Sequence, residues 1–135
     1  MTRSSKGSSM AIVRLIPNIC SQDLAASRDF YAELLELAIA FDSDWYVQLV
    51  SAGDPPLELG IIQQDHELIP PDFQRAPQGC YLTFVVENVD VIYSRAQSLE
   101  ANILQPPKDE FYGQRRMLLT DPNSLLLDIS SLIAK

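Results

Sequence analysis

Residues 21–37, SQDLAASRDFYAELLEL, decide how this chain is read. Asp23 stands just before an apolar-periodic run, and its short side chain can accept a hydrogen bond from a backbone N–H that the first helical turn leaves unpaired. Beyond it Leu24, Ser27, Phe30, Tyr31, Leu34, Leu35 and Ala38 recur at three- and four-residue spacing, so an amphipathic helix is expected. Upstream, 11–20 (AIVRLIPNIC) is rich in β-branched residues and predicts a strand. Pro17 has no N–H to give to a ladder, which argues for an edge or a non-bonded position there. Downstream, three short strands are expected at about 38–43, 45–51 and 56–62. The last two flank SAGDPP, whose Gly and Pro break regular structure.

Residues 63–78 (QQDHELIPPDFQRAPQ) hold three prolines and no clean period, and read as a linker. The pattern then restarts. CYLTFVV (80–86) predicts a strand, and Asn88 caps a helix whose apolar stripe is Val89, Ile92, Ala96 and Leu99. A short strand at 102–105, a polar loop PPKDEFYG, a strand at 114–120, the turn DPNS and a strand at 125–130 complete the series. Each half is β-α-β-β-β. Placing Asn88 on Asp23 brings the strand before each helix and the hairpin after it into step, an internal repeat of supersecondary structure.

The 135 residues are enough for one compact domain, and 47% hydrophobic content excludes wholesale disorder. Order is expected from Ala11, giving one domain over 11–135 with modules at about 11–62 and 79–130. Residues 1–10 (MTRSSKGSSM) read as a disordered leader or an expression remnant, with Met10 an alternative start. Ten Lys and Arg against 18 Asp and Glu leave a formal charge of −8. That balance repels phosphate backbones and anionic lipid, so nucleic acid and membrane are not expected partners, and a neutral or cationic one suits the chain better. Cys20 and Cys80 fit no metal or redox spacing and read as a reduced pair of small core residues in a cytoplasmic protein.

The opening stretch and a second one, GQRRMLLTDPNSLLLDI (113–129), together resemble the vicinal oxygen chelate superfamily: glyoxalase I, bleomycin-resistance proteins and extradiol dioxygenases. The chain departs from the family pattern at Glu36, where Gly is usual, at Asn123-Ser124 in place of Asp-Gly, and at Asp128 in place of the final Glu. The resemblance implies an α+β fold of two βαβββ modules forming paired curled half-barrels around a cavity, the glyoxalase/bleomycin-resistance/dioxygenase fold. It also implies a homodimer.

Metal enzymes of that family place one ligand on the first and one on the fourth strand of each half. Carried over position by position, these places hold Ile16, Glu58, Tyr81 and Asp128. An isoleucine donates nothing to a metal and tyrosine is a rare ligand, so no transition-metal cofactor is expected. Two carboxylates make only a weak site for a hard divalent cation. His66, the single histidine, lies in the linker and reads as a solvated loop residue. Alternation along strands adds further cavity-facing residues. With residues 50 and 56 paired across the first turn, Gln48 faces Glu58 and Tyr46 faces Gly60. The same reasoning at the second turn puts Arg116 opposite Asp128, as a ligand contact or as a plain cross-strand ion pair. A register error of one residue would exchange Arg116 for Arg115.

The expected ligand-binding set is therefore Tyr46, Gln48, Glu58, Tyr81, Arg116 and Asp128, with no catalytic residue. The resemblance is nearest to the metal-free bleomycin-resistance branch, whose members are acidic dimers that sequester a cationic drug. It implies a small-molecule-binding protein, not an enzyme. The alternative is a glyoxalase-like lyase or isomerase, working through a divalent metal or with Glu58 or Asp128 as base.

Overall fold

The computed structural model describes residues 11–133, so the proposed leader lies outside the described residues. The order is β1 (Asn18–Ser21), α1 (Leu24–Leu35), β2 (Ala38–Asp42), β3 (Tyr46–Val50), β4 (Glu58–Gln63), a 3-10 turn at Pro71–Phe73, β5 (Tyr81–Val85), α2 (Val89–Ser98), β6 (Asn102–Asp109), β7 (Gln114–Thr120) and β8 (Leu126–Leu132). The strands form two four-stranded sheets, β1-β4-β3-β2 and β5-β8-β7-β6. In each, the outer strand before the helix runs parallel to its neighbour and the other pairs are antiparallel. Two βαβββ modules are thus present, as curled sheets that do not close into a barrel.

Both caps are as the sequence predicts. The Asp23 carboxylate accepts from Ala26 N and the Asn88 side chain from Asp90 N. Two strand boundaries differ by more than two residues. β1 begins only at Asn18, because Pro17 offers no N–H; its carbonyl still accepts from Gly60 N at 2.8 Å, and β1 is a sheet edge. β6 runs four residues beyond the expected strand and straight through Pro106 and Pro107. It too is an edge, where a missing donor costs little, and its register slips between Gln105 and Lys108.

One face of each sheet is packed against its helix. Ile19, Val47, Leu49, Leu59 and Ile61 in the first module, and Met117, Leu119, Leu127 and Ile129 in the second, are buried in one continuous core with Tyr31, Leu34, Val89 and Ile92. The modules are also fastened by polar groups. The Tyr31 hydroxyl, fully buried, donates to Asp121 Oδ2 at 2.6 Å, and Asn123 Nδ2 donates to Ser27 Oγ at 3.1 Å. Burial pushes the Tyr31 hydroxyl far above its ordinary pKa and the Asp121 charge adds to that, so it is a donor at every ordinary pH. Arg95 donates to Leu34 O and pairs with Glu36 at 3.1 Å.

The departures from the family pattern now have a physical setting. Glu36 and Ser124 both have left-handed backbones, with φ of 55° and 66°, which explains why Gly is usual at both places.

Candidate functional site

Strand alternation leaves the other face of each sheet free of its helix, and the sequence-predicted residues stand there. The pairing within each hairpin corrects the expectation. Glu58 lies opposite Val50, Gln48 opposite Gly60 and Tyr46 opposite Ile62. Pro55 and Pro56 carry no N–H, so the first donor past the turn is Leu57, which bonds to Ser51 Oγ at 2.8 Å. In the second hairpin Arg116 lies opposite Ser130, and Asp128 opposite Leu118. There Asp121 Oδ1 accepts from Leu125 N at 2.9 Å and draws that residue into the turn. Both displacements are by two residues, an even number, so each side chain keeps its face.

On the first sheet, Tyr46, Gln48 and Glu58 come together. Gln48 Nε2 donates to Glu58 Oε1 at 2.6 Å, and the Tyr46 hydroxyl donates to Asn18 Oδ1 at 2.8 Å. Arg14 grips the Glu58 carboxylate with both ends of its guanidinium, Nε reaching Oε2 at 2.8 Å. The Glu58 side chain is only 12% exposed, while that of Arg14 is 58% exposed. Arg14's hydrogen bond holds the Glu58 carboxyl below the ordinary glutamate value, against the opposing effect of burial. The partner that a carboxylate on this face requires is therefore Arg14, which the sequence reading missed. Counting by two from Ile16 along an extended arm reaches Arg14, and that was the available signal.

Tyr46 crosses directly over Gly60. A Cβ there would run into both the Tyr46 hydroxyl and Asn18 Oδ1. This face and the linker bound a cavity of about 710 Å³, with Asn18, Cys20, Tyr46 and Ile62 on the sheet side and Ile69 and Phe73 on the other. His66 is half-buried, not a solvated loop residue. Its ring stacks on Trp45 at 4.4 Å, and its Nδ1 accepts from Leu68 N at 3.1 Å, seating the linker on the sheet. Cys20 is partly buried, and Cys80 is exposed, outside the core expected for it.

On the second sheet Asp128 is 5% exposed. Its Oδ2 accepts from Thr83 Oγ1 at 3.1 Å and lies 3.7 Å from Arg116, whose Nε reaches Glu110 at 3.3 Å. Asp128 Oδ1 and, two residues on, Ser130 Oγ are buried with no hydrogen-bond partner among the described residues. Tyr81 pairs with Leu126 and is 54% exposed. The six predicted residues thus fall into two groups on two sheets. Arg115, the register alternative, points elsewhere and bonds Asp90 and Asp109.

The parallel pairs add a comparison that motif counting does not. Asn18 and Thr83 each lie five residues before a cap, and they face Gly60 and Asp128 respectively. Asp128 therefore corresponds to Gly60 in the first module, and Glu58 to Leu126. The two carboxylates stand at unlike places. Together with the grip of Arg14 and Gln48 on Glu58, and the side chains of Ile16 and Tyr81, this donor set does not fit a transition metal. Among the described residues no three His, Cys, Asp or Glu side chains are grouped to hold one.

The match to known proteins agrees with this architecture. Residues 12–129 match the family model described as Glyoxalase/Bleomycin resistance protein/Dioxygenase superfamily, and the chain belongs to that superfamily. Among solved structures, it is similar to a glyoxalase/bleomycin resistance protein/dioxygenase family enzyme from Burkholderia phytofirmans PsJN, at 20% identity and a TM-score of 0.76 over 87% of this chain and 97% of that one. TioX from Micromonospora sp. ML1 is similar at 16% identity and a TM-score of 0.68, over 90% and 99%. A family member from Alicyclobacillus acidocaldarius follows at 17% and 0.65, over 90% and 92%. At such identities these structures share the fold alone. No curated protein matches the chain. Among the described residues no helix is long and apolar enough to cross a membrane.

Proposed function

We propose that this superfamily member is a metal-free small-molecule-binding protein, nearest in kind to the bleomycin-resistance branch, which sequesters a neutral or cationic organic ligand in the cytoplasm. The observation that carries the reading is the cavity of about 710 Å³ on the first sheet. Its wall is mainly apolar and aromatic, with Asn18 and Tyr46 as a hydrogen-bonded polar pair on the sheet and Arg75 and Gln78 on the linker. Glu58 is held ionised by Arg14 and is a poor base near neutral pH, which disfavours Glu58 in the carboxylate-base alternative. In this reading Tyr46 holds the ligand from the first sheet, while Gln48 and Glu58 stand on the same face outside the cavity's wall. Tyr81, Arg116 and Asp128 serve it from the second sheet, and a second copy of the chain completes the site as a homodimer.

A thermal-shift screen of neutral, cationic and anionic small molecules tests this directly. Stabilisation by neutral or cationic compounds, lost in Tyr46→Ala, is the expected result. A full equivalent of Ni, Zn, Fe or Mn per purified chain, removed together with an activity by chelation, would replace binding with catalysis. Monomeric elution at micromolar concentration would remove the dimer.

A further inference from the structure

A different cavity, of about 480 Å³, opens between the modules on the far side of Glu58. It is bounded by Leu35, Leu37 and Leu49 of the first module and by the outer, unpaired edge of β5 from Leu82 to Val86. Nearly all of its wall is apolar. Glu58 is the one charged residue that lines it, and no Lys or Arg does. Glu58 borders the apolar slot at the start of β4, and Gln48 holds one oxygen of its carboxylate.

The group now on that carboxylate is the guanidinium of Arg14, and its seating is peculiar. Arg14 belongs to the segment before β1, where Ile12, Val13 and Leu15 are 70%, 84% and 79% exposed. The only backbone hydrogen bond from residues 11–17 to a strand is that of the Pro17 carbonyl. Among the described residues the arm's one ion pair is Arg14–Glu58, with the Arg14 side exposed to solvent. Another planar cation presents the same fork of donors and fits the same two carboxylate oxygens.

We infer that the inter-module cavity is a binding site for amphipathic cations with a planar guanidinium or amidinium head, that the head takes Glu58 in place of Arg14, and that the apolar tail lies against Leu35, Leu37 and β5. Arg14 acts as a built-in competitor, so the apparent affinity is the intrinsic one reduced by the fraction of chains in which Arg14 has released Glu58. The inference does not depend on the cavity beneath the linker, and it survives if that cavity binds nothing.

The test is calorimetric titration of the full chain with n-hexylguanidinium, with hexanoate as the anionic control. Arg14→Ala should bind hexylguanidinium roughly tenfold more tightly than the parent, and hexanoate should bind neither. Adding Glu58→Gln to Arg14→Ala should abolish the gain. Amide NMR shifts should move at Leu82–Val86 and stay fixed at Cys20 and Ile62. Equal affinity in the parent and Arg14→Ala overturns the inference, as do shifts confined to Cys20 and Ile62. Thermal melting of each variant separates loss of the site from loss of the fold, and Arg14→Gln, which keeps a polar arm, must behave as Arg14→Ala does.

Discussion

Gly60 and Asp128 occupy the same place in the two modules, yet one has no side chain and the other has a buried carboxylate with an unpaired oxygen. In the first module the space above Gly60 is filled by Tyr46, reaching across to Asn18. In the second, the residue facing Asp128 across β7 is Leu118, which donates nothing, and Thr83 satisfies only one of the two oxygens. Duplicated architecture therefore fixes where a side chain points and leaves its chemistry free. The first face is closed by neighbours satisfying one another, and the second retains an acceptor without a partner among the described residues.

The comparison holds only while both modules rest on the same seam, and breaking that seam should have the largest effect. Asp121→Ala removes the partner of Tyr31 and the anchor of Asn123 N and Leu125 N, and should cost about 3–5 kcal/mol in chemical denaturation. Next is Gly60→Ala, which must displace Tyr46 or Asn18 and should cost about 1–3 kcal/mol. The matching change Asp128→Ala should cost less, about 1–2 kcal/mol, since it removes an unsatisfied oxygen along with the Thr83 bond. A larger cost at Asp128 than at Gly60 would mean that its free oxygen has a partner in solution.

The pH dependence sharpens the contrast at Glu58. Its folded pKa lies below the ordinary 4.5, so the Arg14–Glu58 pair contributes stability above that value and loses it as the pH falls through the depressed one. Glu58→Gln should flatten this part of the acid limb in urea melts between pH 5 and pH 2, a range in which the parent weakens. The smallest effect is expected at the seam's turn. Ser124→Gly relieves a left-handed non-glycine residue and should stabilise by about 1 kcal/mol, whereas Glu36→Gly gives up its Arg95 pair and should gain less.

The fold was legible because the two stretches that carried it are the two sides of one contact: Tyr31 of the first grips Asp121 of the second, 90 residues away. Helix caps and apolar periodicity report local geometry, and both caps were found where the sequence put them. The site was legible only in its faces. Parity survives a register displacement of two, so Tyr46, Gln48 and Glu58 emerged together although their opposite residues did not. What sequence could not supply was the partner of Glu58. Arg14 lies outside any regular strand, 44 residues away, and alternation back from Ile16 gives its face without naming Glu58 as its partner. Nor could it seat His66, because stacking on Trp45 depends on where the linker folds back.

That last contact gives the molecule its own optical gauge. The chain has one tryptophan and one histidine, and the two are stacked ring on ring. All indole emission therefore originates at a single point, where the linker rests on Trp45. A stacked imidazole alters indole emission, so the intensity registers the departure of His66 from Trp45. A ligand that parts the two rings would announce itself by light, without any label.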